Sequence, residues 1–341
     1  MKTVIAGAGA IGAFLGAHLA RAGADVVLYA RGPHLQAMRE RGLRVVTGDG
    51  GFHVRPSVTD DLGRIGPVDL VVLAVKAHSL AGLAPRLAPL VGPATIIVST
   101  QNGLPWWYFH EGTGAAAPGG PLHGFHLEAV DPGGVVTRAL DPARVVGAIV
   151  YFATAVEAPG VIRQSGGSRM LVGEPGGVRS ARVGRVAGLF EAAGLRCEIT
   201  GEIRREIWAK LLGNVAFNPL SVITGATVGE LVGHPDGSRV VRAIMGEVEA
   251  VARRLDLAPA VSIDERMARA SQSGPHRTSM LQDFEAGRPL ELDAIVGSVI
   301  AVADRLGVPV PSIRAVEACV RMLDERRVLK KDGGSGRDVA G

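Results

Sequence analysis

Cysteine is nearly absent from this chain: Cys197 and Cys319 are the only two among 341 residues, and they lie far apart in sequence. Neither has the spacing of a metal site or a redox pair, so buried thiols are the default reading. Aromatic residues make up 4% of the chain. No block of basic residues interleaves with them, which argues against nucleic acid as the main partner. No apolar run has the length and purity of a membrane span, so no membrane partner is expected. The apolar residues after Lys2 are broken by glycines and do not read as a signal peptide, and the expectation is a cytoplasmic protein. What the chain does have is length and apolar content. Hydrophobic residues are 47% and charged residues 21%, enough for two globular domains with sizeable cores. The net charge of +4 suits an anionic cofactor or substrate.

The most informative stretch is WAKLLGNVAFNP, Trp208 to Pro219. Lys210, Asn214 and Asn218 follow one another at intervals of four residues. On a helix each step overshoots a full turn by about 40°, so all three leave from one face. They stand among Trp208, Leu211, Leu212, Val215, Ala216 and Phe217, which are core-type residues. The stripe is either a solvent-facing edge or the polar lining of a cleft. Asparagine is a poor helix former, and two on one stripe favour the lining. Pro219 is expected to end or kink this helix.

The N-terminal half reads as an α/β domain. Lys2 to Ala6 is a β-branched run, and GAGAIG follows with Gly7, Gly9 and Gly12 in dinucleotide-loop spacing, Ala10 and Ile11 between them. A small-residue helix, Ala13 to Ala22, comes next. The fingerprint therefore has its required strand and helix on either side, and phosphates are expected at the helix N-terminus. Asp25 to Tyr29 is the second strand. Where NAD-binding folds place an acid for the ribose 2′-hydroxyl, this chain has Arg31, which can clamp a 2′-phosphate; NADP(H) is preferred to NAD(H). The alternative is an ordinary exposed loop arginine. Val68 to Val75 and Ala94 to Thr100 are buried strands that end in Lys76 and in Gln101, Asn102, Gly103, polar groups suited to one crevice.

Pro105 to Gly134 has no regular pattern and reads as a lid, an insertion or an interface. It opens with Trp106, Trp107, Tyr108 and Phe109. These either wall a substrate pocket or pack on the domain's own core or at a subunit contact of a homodimer. His110, His123 and His126 lack a zinc spacing and read as exposed loop residues, with no metal expected. Val145 to Ala155, Arg169 to Gly173 and Cys197 to Thr200 are strands, and Ser180 to Gly194 is a helix. From Ile203 onward apolar residues recur only at helical spacing, through Val222 and then over Ser238–Leu255, Ser262–Ser271, Leu292–Leu306 and Ile313–Val328. TSMLQDFEAGRPLELD reads as a charged connection, and the glycine-rich tail from Lys330 as disordered. The resulting division is 1–201 for the dinucleotide domain (with 105–134 irregular), 202–329 for an all-helical domain and 330–341 for the tail.

Taken together, GAGAIG, Arg31, Lys76, QNG ending at Gly103, KLLGNVAFNP and SMLQDFEAGRPLELD resemble the ketopantoate reductases (2-dehydropantoate 2-reductases) over nearly the whole chain. The resemblance implies a Rossmann-type N-terminal domain, an all-helical C-terminal domain and a site in the cleft between them, where a 2-oxo acid is reduced with NADPH to give NADP+. By motif position it implies that Lys210 is the general acid and that Asn214 and Asn218 bind substrate hydroxyls. Ser279 would bind the carboxylate. Glu291 would bond the substrate and help orient the lysine. Asn102 would lie near nicotinamide and substrate, and Lys76 near cofactor and substrate. After Gly103 many relatives continue into a short helical segment, whereas this chain has LPWWYFHEG. The expected substrate is 2-dehydropantoate. The alternatives are a bulkier or specialised 2-oxo acid and, more remotely, a non-catalytic NADPH sensor.

Overall fold

The computed structural model of the chain describes residues 1–110, 117 and 119–334. Two compact units are present, one of Met1–Pro118 with His123–Arg204 and one of Gly119–Leu122 with Arg205–Gly341.

The first unit is built on one sheet. Its strands are β1 (Thr3–Ala6), β2 (Val26–Tyr29), β3 (Leu43–Thr47), β4 (Gly50–Val54), β5 (Ser57–Thr59), β6 (Val68–Leu73), β7 (Val91–Ser99), β8 (Val145–Ala158), β9 (Val161–Gly173) and β10 (Arg196–Ile199). Six of them lie in the order β5-β2-β1-β6-β7-β8 with every pairing parallel. This is the doubly wound dinucleotide-binding order. Beyond it β9 pairs antiparallel with β8, and β3 and β10 both pair parallel with β9. The central strands are rich in β-branched residues, and β1 and β6 are buried at every position but Asp69, as parallel strands covered on both faces require. Helices α1 (Ala10–Arg21), α2 (Gly32–Arg41), α3 (Ala77–Leu87), α4 (Val135–Ala139) and α5 (Ala181–Ala192) complete the unit. Phe14, Leu28, Val72, Val98, Val146 and Phe190 belong to one continuous core. The short strands β3 to β5 escape a reading of apolar runs because they are half-exposed, and β4 begins with two glycines. From Val91 to Gly134 the only regular elements among the described residues are β7 and a short 3₁₀ turn, Pro132–Gly134; residues 111–116 and 118 lie outside the described residues.

The second unit is helical. It contains most of α6 (Ile203–Thr224), then α7 (Val228–Gly233), α8 (Pro235–Arg254), α9 (Ile263–Ser271), α10 (Ser279–Glu285), α11 (Ser298–Leu306) and α12 (Pro311–Gly334). Val241, Ile244, Met245, Val248 and Val251 of α8 are fully buried. Three expectations are corrected here. Of the two outcomes expected at Pro219, an end or a kink, the end does not occur: α6 continues to Thr224, and Leu220, Ser221 and Val222 after the proline are all buried, so packing offsets the lost backbone bond. The charged connection contains a helix, α10, capped by Thr278 and anchored by buried Met280 and Leu281. The expected tail begins as helix, since α12 runs through 330–334; 335–341 lie outside the described residues.

Candidate functional site

Tyr29, Ala6, Leu73 and Ser99 stand in one row across β2, β1, β6 and β7. Within three residues of that row the chain places Arg31, Gly7, Lys76 and Asn102. The four therefore share the C-terminal edge of the parallel sheet, where the strand order reverses between β1 and β6 and where ligands of such sheets bind.

The three glycines of the loop do different things. Gly7 has φ +110°, and a Cβ there would fall 2.5 Å from Val75 Cγ1 and 2.8 Å from the Val75 nitrogen. A Cβ on Gly12 would fall 2.0 Å from the Gly7 carbonyl oxygen. Both glycines are demanded by the fold alone. Gly9 is exposed and its Cβ position has nothing within 4 Å, so the protein itself does not need glycine there; a closely approaching ligand would. Gly9 precedes α1 without a side-chain cap, and no acid lies in the first turn, where Ala10 and Ile11 sit. The N–H groups and the dipole of that helix end are thus available to an anion. Arg31 is the exposed residue before α2, and its guanidinium has no hydrogen bond or ion pair among the described residues. His34, one turn into α2, accepts the Gly160 N–H on Nδ1 at 3.0 Å, tying the arginine's helix to the β8–β9 turn. No sequence signal pointed to His34, because its partner lies 126 residues away.

Lys76 is the residue that precedes α3, and it is half-buried. Thr100 fixes the neighbouring strand end to β6 through its hydroxyl, 2.8 Å from the Leu73 carbonyl, and through its N–H at 3.2 Å. Ser99 donates to Gln101 Oε1 at 2.7 Å, and the Gln101 amide nitrogen is buried without a partner among the described residues. Asn102 is half-buried, next to Gly103 at φ +87°.

In the helical unit α6 carries Lys210, Asn214 and Asn218 on one stripe. Part of the Lys210 side chain touches solvent, yet burial pushes its pKa down to about 8, against an upward pull from the Glu291 carboxylate. Glu291 is buried and lies just before a π-helical turn, Asp293–Gly297, that leads into α11. The structure thus brings together Lys210 and Glu291, residues far apart in sequence. Asn218 is 5% exposed and Asn214 half-buried; neither amide has a hydrogen-bond partner among the described residues. Two amides among core residues, with their hydrogen-bonding groups uncommitted, suit a ligand's polar groups. Ser279 is exposed at the first position of α10.

Trp106, Trp107, Tyr108 and Phe109 are all buried. Trp107 lies over Gly147, where a Cβ would come within 2.8 Å of the indole. Tyr108 donates to the Arg204 carbonyl at 3.2 Å, and Phe109 meets the rings of Tyr108 and Phe125 edge-on at 4.9 and 5.5 Å. Trp107, Tyr108 and Phe109 thus pack on their own unit. A cleft beside Trp107 is bordered by Pro142, Glu174, Ser180 and Arg182. Burial pushes the Glu174 carboxyl up, but its bonds from Arg182 and Ser180 outweigh this and hold it below the usual range. His110, His123 and His126 are exposed, and no group of three metal-binding side chains occurs among the described residues.

Residues 3–106 match the family described as ketopantoate reductase PanE/ApbA, and residues 202–324 match its C-terminal domain. A 2-dehydropantoate 2-reductase of Mesorhizobium japonicum is 44% identical over 96% of this chain and 99% of its own length. Among solved structures, a PanE/ApbA family ketopantoate reductase from Ralstonia eutropha JMP134 superposes with TM-score 0.81 at 30% identity, covering 96% of this chain and 100% of that one. A 2-dehydropantoate 2-reductase from Geobacter metallireducens gives TM-score 0.82 at 27% identity over 96% and 99% of the two chains.

Proposed function

This chain belongs to the ketopantoate reductase PanE/ApbA family, and we propose that it reduces 2-dehydropantoate to pantoate with NADPH. The observation that carries the reading is the Lys210–Glu291 pair: a lysine whose pKa is lowered to about 8 by burial, held beside a buried carboxylate on a helix that also presents two unpartnered amides.

The residues of the α/β unit fit a dinucleotide. Gly9 leaves room for a pyrophosphate, Gly7 and Gly12 shape the turn, and the first-turn N–H groups at Ala10 and Ile11 would bind it. Arg31 would hold the 2′-phosphate, its guanidinium offering paired N–H donors. Lys76 and Asn102 stand at the same sheet edge and would contact the nicotinamide and the substrate. A bound reduced nicotinamide would supply the hydride, which leaves negative charge on the substrate's carbonyl oxygen.

Lys210 meets that charge as an ammonium, donates its proton to the oxygen and is left as the neutral amine. A pKa near 8 suits this task, because the group is charged at neutral pH and still gives up its proton readily. Glu291 keeps the ammonium charged and orients it. Asn214 and Asn218 bond the substrate's hydroxyl, and Ser279 its carboxylate. No helix among the described residues is long and apolar enough to cross a membrane. We place the enzyme in the cytoplasm.

The test is steady-state kinetics with ketopantoate beside branched and aromatic 2-oxo acids, NADPH being followed by its near-ultraviolet absorbance. Ketopantoate is expected to have the highest kcat/KM. NADPH binding with no turnover on any acid would make the protein a sensor and sink the proposal.

A further inference from the structure

A directed chain of hydrogen bonds joins the helix that carries Asn218 to the helix that carries Ser279. Ser221 is fully buried on α6, and its hydroxyl donates to the Asn218 carbonyl at 2.8 Å. The same oxygen lies 2.6 Å from Thr278 Oγ1. Thr278 is 4% exposed, and its oxygen also accepts the Leu281 N–H at 3.1 Å, capping α10. A carbonyl cannot donate, so the single hydrogen of Ser221 is committed to Asn218, and Thr278 must be the donor in the hydroxyl pair. The order is therefore fixed: Leu281 N–H to Thr278, Thr278 to Ser221, Ser221 to the Asn218 carbonyl. Each hydroxyl both gives and receives, and such a chain strengthens its own links in a buried setting. Pro219 adds a reason for it. Having no N–H, proline cannot bond the carbonyl four residues earlier, so the turn around Asn218 lacks one backbone restraint.

We propose that Ser221 and Thr278 are positioning residues that set the register between Asn218 and Ser279, so that one 2-oxo acid is held by its hydroxyl and its carboxylate together. The proposal rests on the substrate roles given above to Asn218 and Ser279. Both hydroxyls are buried and already paired, so they act through those neighbours and not on the ligand itself.

The experiment compares Ser221→Ala, Thr278→Val and Thr278→Ser in the full-length enzyme, with Asn218→Ala and Ser279→Ala as controls. Ser221→Ala and Thr278→Val are expected to raise KM for ketopantoate about 10-fold, with kcat within about 3-fold and the NADPH dissociation constant unchanged. They should also narrow the preference for ketopantoate over 2-oxoisovalerate, which lacks the hydroxyl; a loss of stability alone would leave that ratio where it was. The double variant should be no worse than the worse single one, since either change opens the same chain. Thr278→Ser keeps the hydroxyl and should restore KM. Should Thr278→Val fail to fold, Ser221→Ala removes one oxygen, leaves the α10 cap in place and decides the matter. The proposal is overturned if Ser221→Ala lowers only the melting temperature, or if Thr278→Ser behaves like Thr278→Val. If Asn218→Ala and Ser279→Ala themselves leave KM unchanged, the substrate roles fall and the proposal falls with them. If those two raise KM and Ser221→Ala does not, the positioning role alone is wrong.

Discussion

The glycine loop of the α/β unit and the polar stripe of α6 prepare for a ligand by opposite means. The loop works by subtraction: two glycines let backbone pack where any Cβ would collide, and a third leaves open space. The stripe works by addition, setting an ammonium and two amides among residues that would otherwise be core. The first device costs chain entropy. The second costs desolvation, visible in the lowered pKa of Lys210. A backbone site should therefore be broken by what is put in, and a side-chain site by what is taken out.

The largest expected effect is on the stripe. Lys210→Ala should lower kcat by about 10²–10⁴-fold. The NADPH dissociation constant should stay within about 2-fold, because the cofactor groups proposed here lie on the other unit. Near-normal turnover would remove Lys210 from the mechanism. The matching break in the loop separates its glycines. Gly12→Ala places a Cβ 2.0 Å from the Gly7 oxygen and should abolish both stable folding and cofactor binding. Gly9→Ala meets nothing within 4 Å, so the free protein should melt normally while NADPH binds at least about 10-fold more weakly. Equal loss of stability in the two variants would show that Gly9 is structural too.

Arg31 comes next. A charge-assisted contact is worth about 1.5–3 kcal/mol, so Arg31→Ala should cut the preference for NADPH over NADH by roughly 10-fold or more, mostly by weakening NADPH. An unchanged ratio of the two dissociation constants would return Arg31 to the status of a surface residue.

The pH dependence sharpens the contrast, because the stripe carries a lysine that burial brings down to about 8. Lys210 donates as an ammonium, so kcat for the reduction should fall as pH rises through about 8. The Glu291 charge raises that pKa, and Glu291→Gln should shift the falling limb to lower pH. Stability runs the other way. A lysine whose folded pKa lies below its unfolded value binds protons more readily unfolded, so the fold gains stability as pH rises above about 8 towards the ordinary lysine range. Lys210→Met should abolish that gain, measured as the change in melting temperature across the same window. A limb that Glu291→Gln does not move would uncouple the pair.

These two devices were unequally legible in the sequence. The loop could be read with the chain in hand, because spacing and flanking elements carry its meaning. The C-terminal ends of β6 and β7 were legible for the same reason, each being a buried run that stops at a polar residue. The Lys210 stripe could be read as a face, but its neighbour Glu291 lies far along the chain and came only through a family resemblance. The contacts that matter at Ser221, Thr278 and His34 had no readable signal: each joins partners at least 57 residues apart in sequence, while only the bond of Ser221 to Asn218 and the cap of Thr278 on Leu281 are local. Pro219 misled because a local rule lost to burial of the three residues after it.

The smallest expected effect on catalysis concerns the aromatics after Gly103, where the sequence left packing and substrate contact equally open. Trp107 covers Gly147, Tyr108 is bonded to Arg204, and Phe109 packs against Phe125, so each is engaged within its own unit. Removing a buried tryptophan side chain costs about 3–5 kcal/mol. Trp107→Ala should therefore lower the melting temperature by roughly 10 °C. The indole N–H has no hydrogen-bond partner among the described residues, so Trp107→Phe loses little more than area and should fall well short of that. In neither variant should the ranking of 2-oxo acids by kcat/KM change, assayed below the lowered melting point. A reversed order between ketopantoate and an aromatic 2-oxo acid would make Trp107 a wall of the substrate pocket, and the loop after Gly103 would join the α6 stripe as a determinant of which acid is reduced.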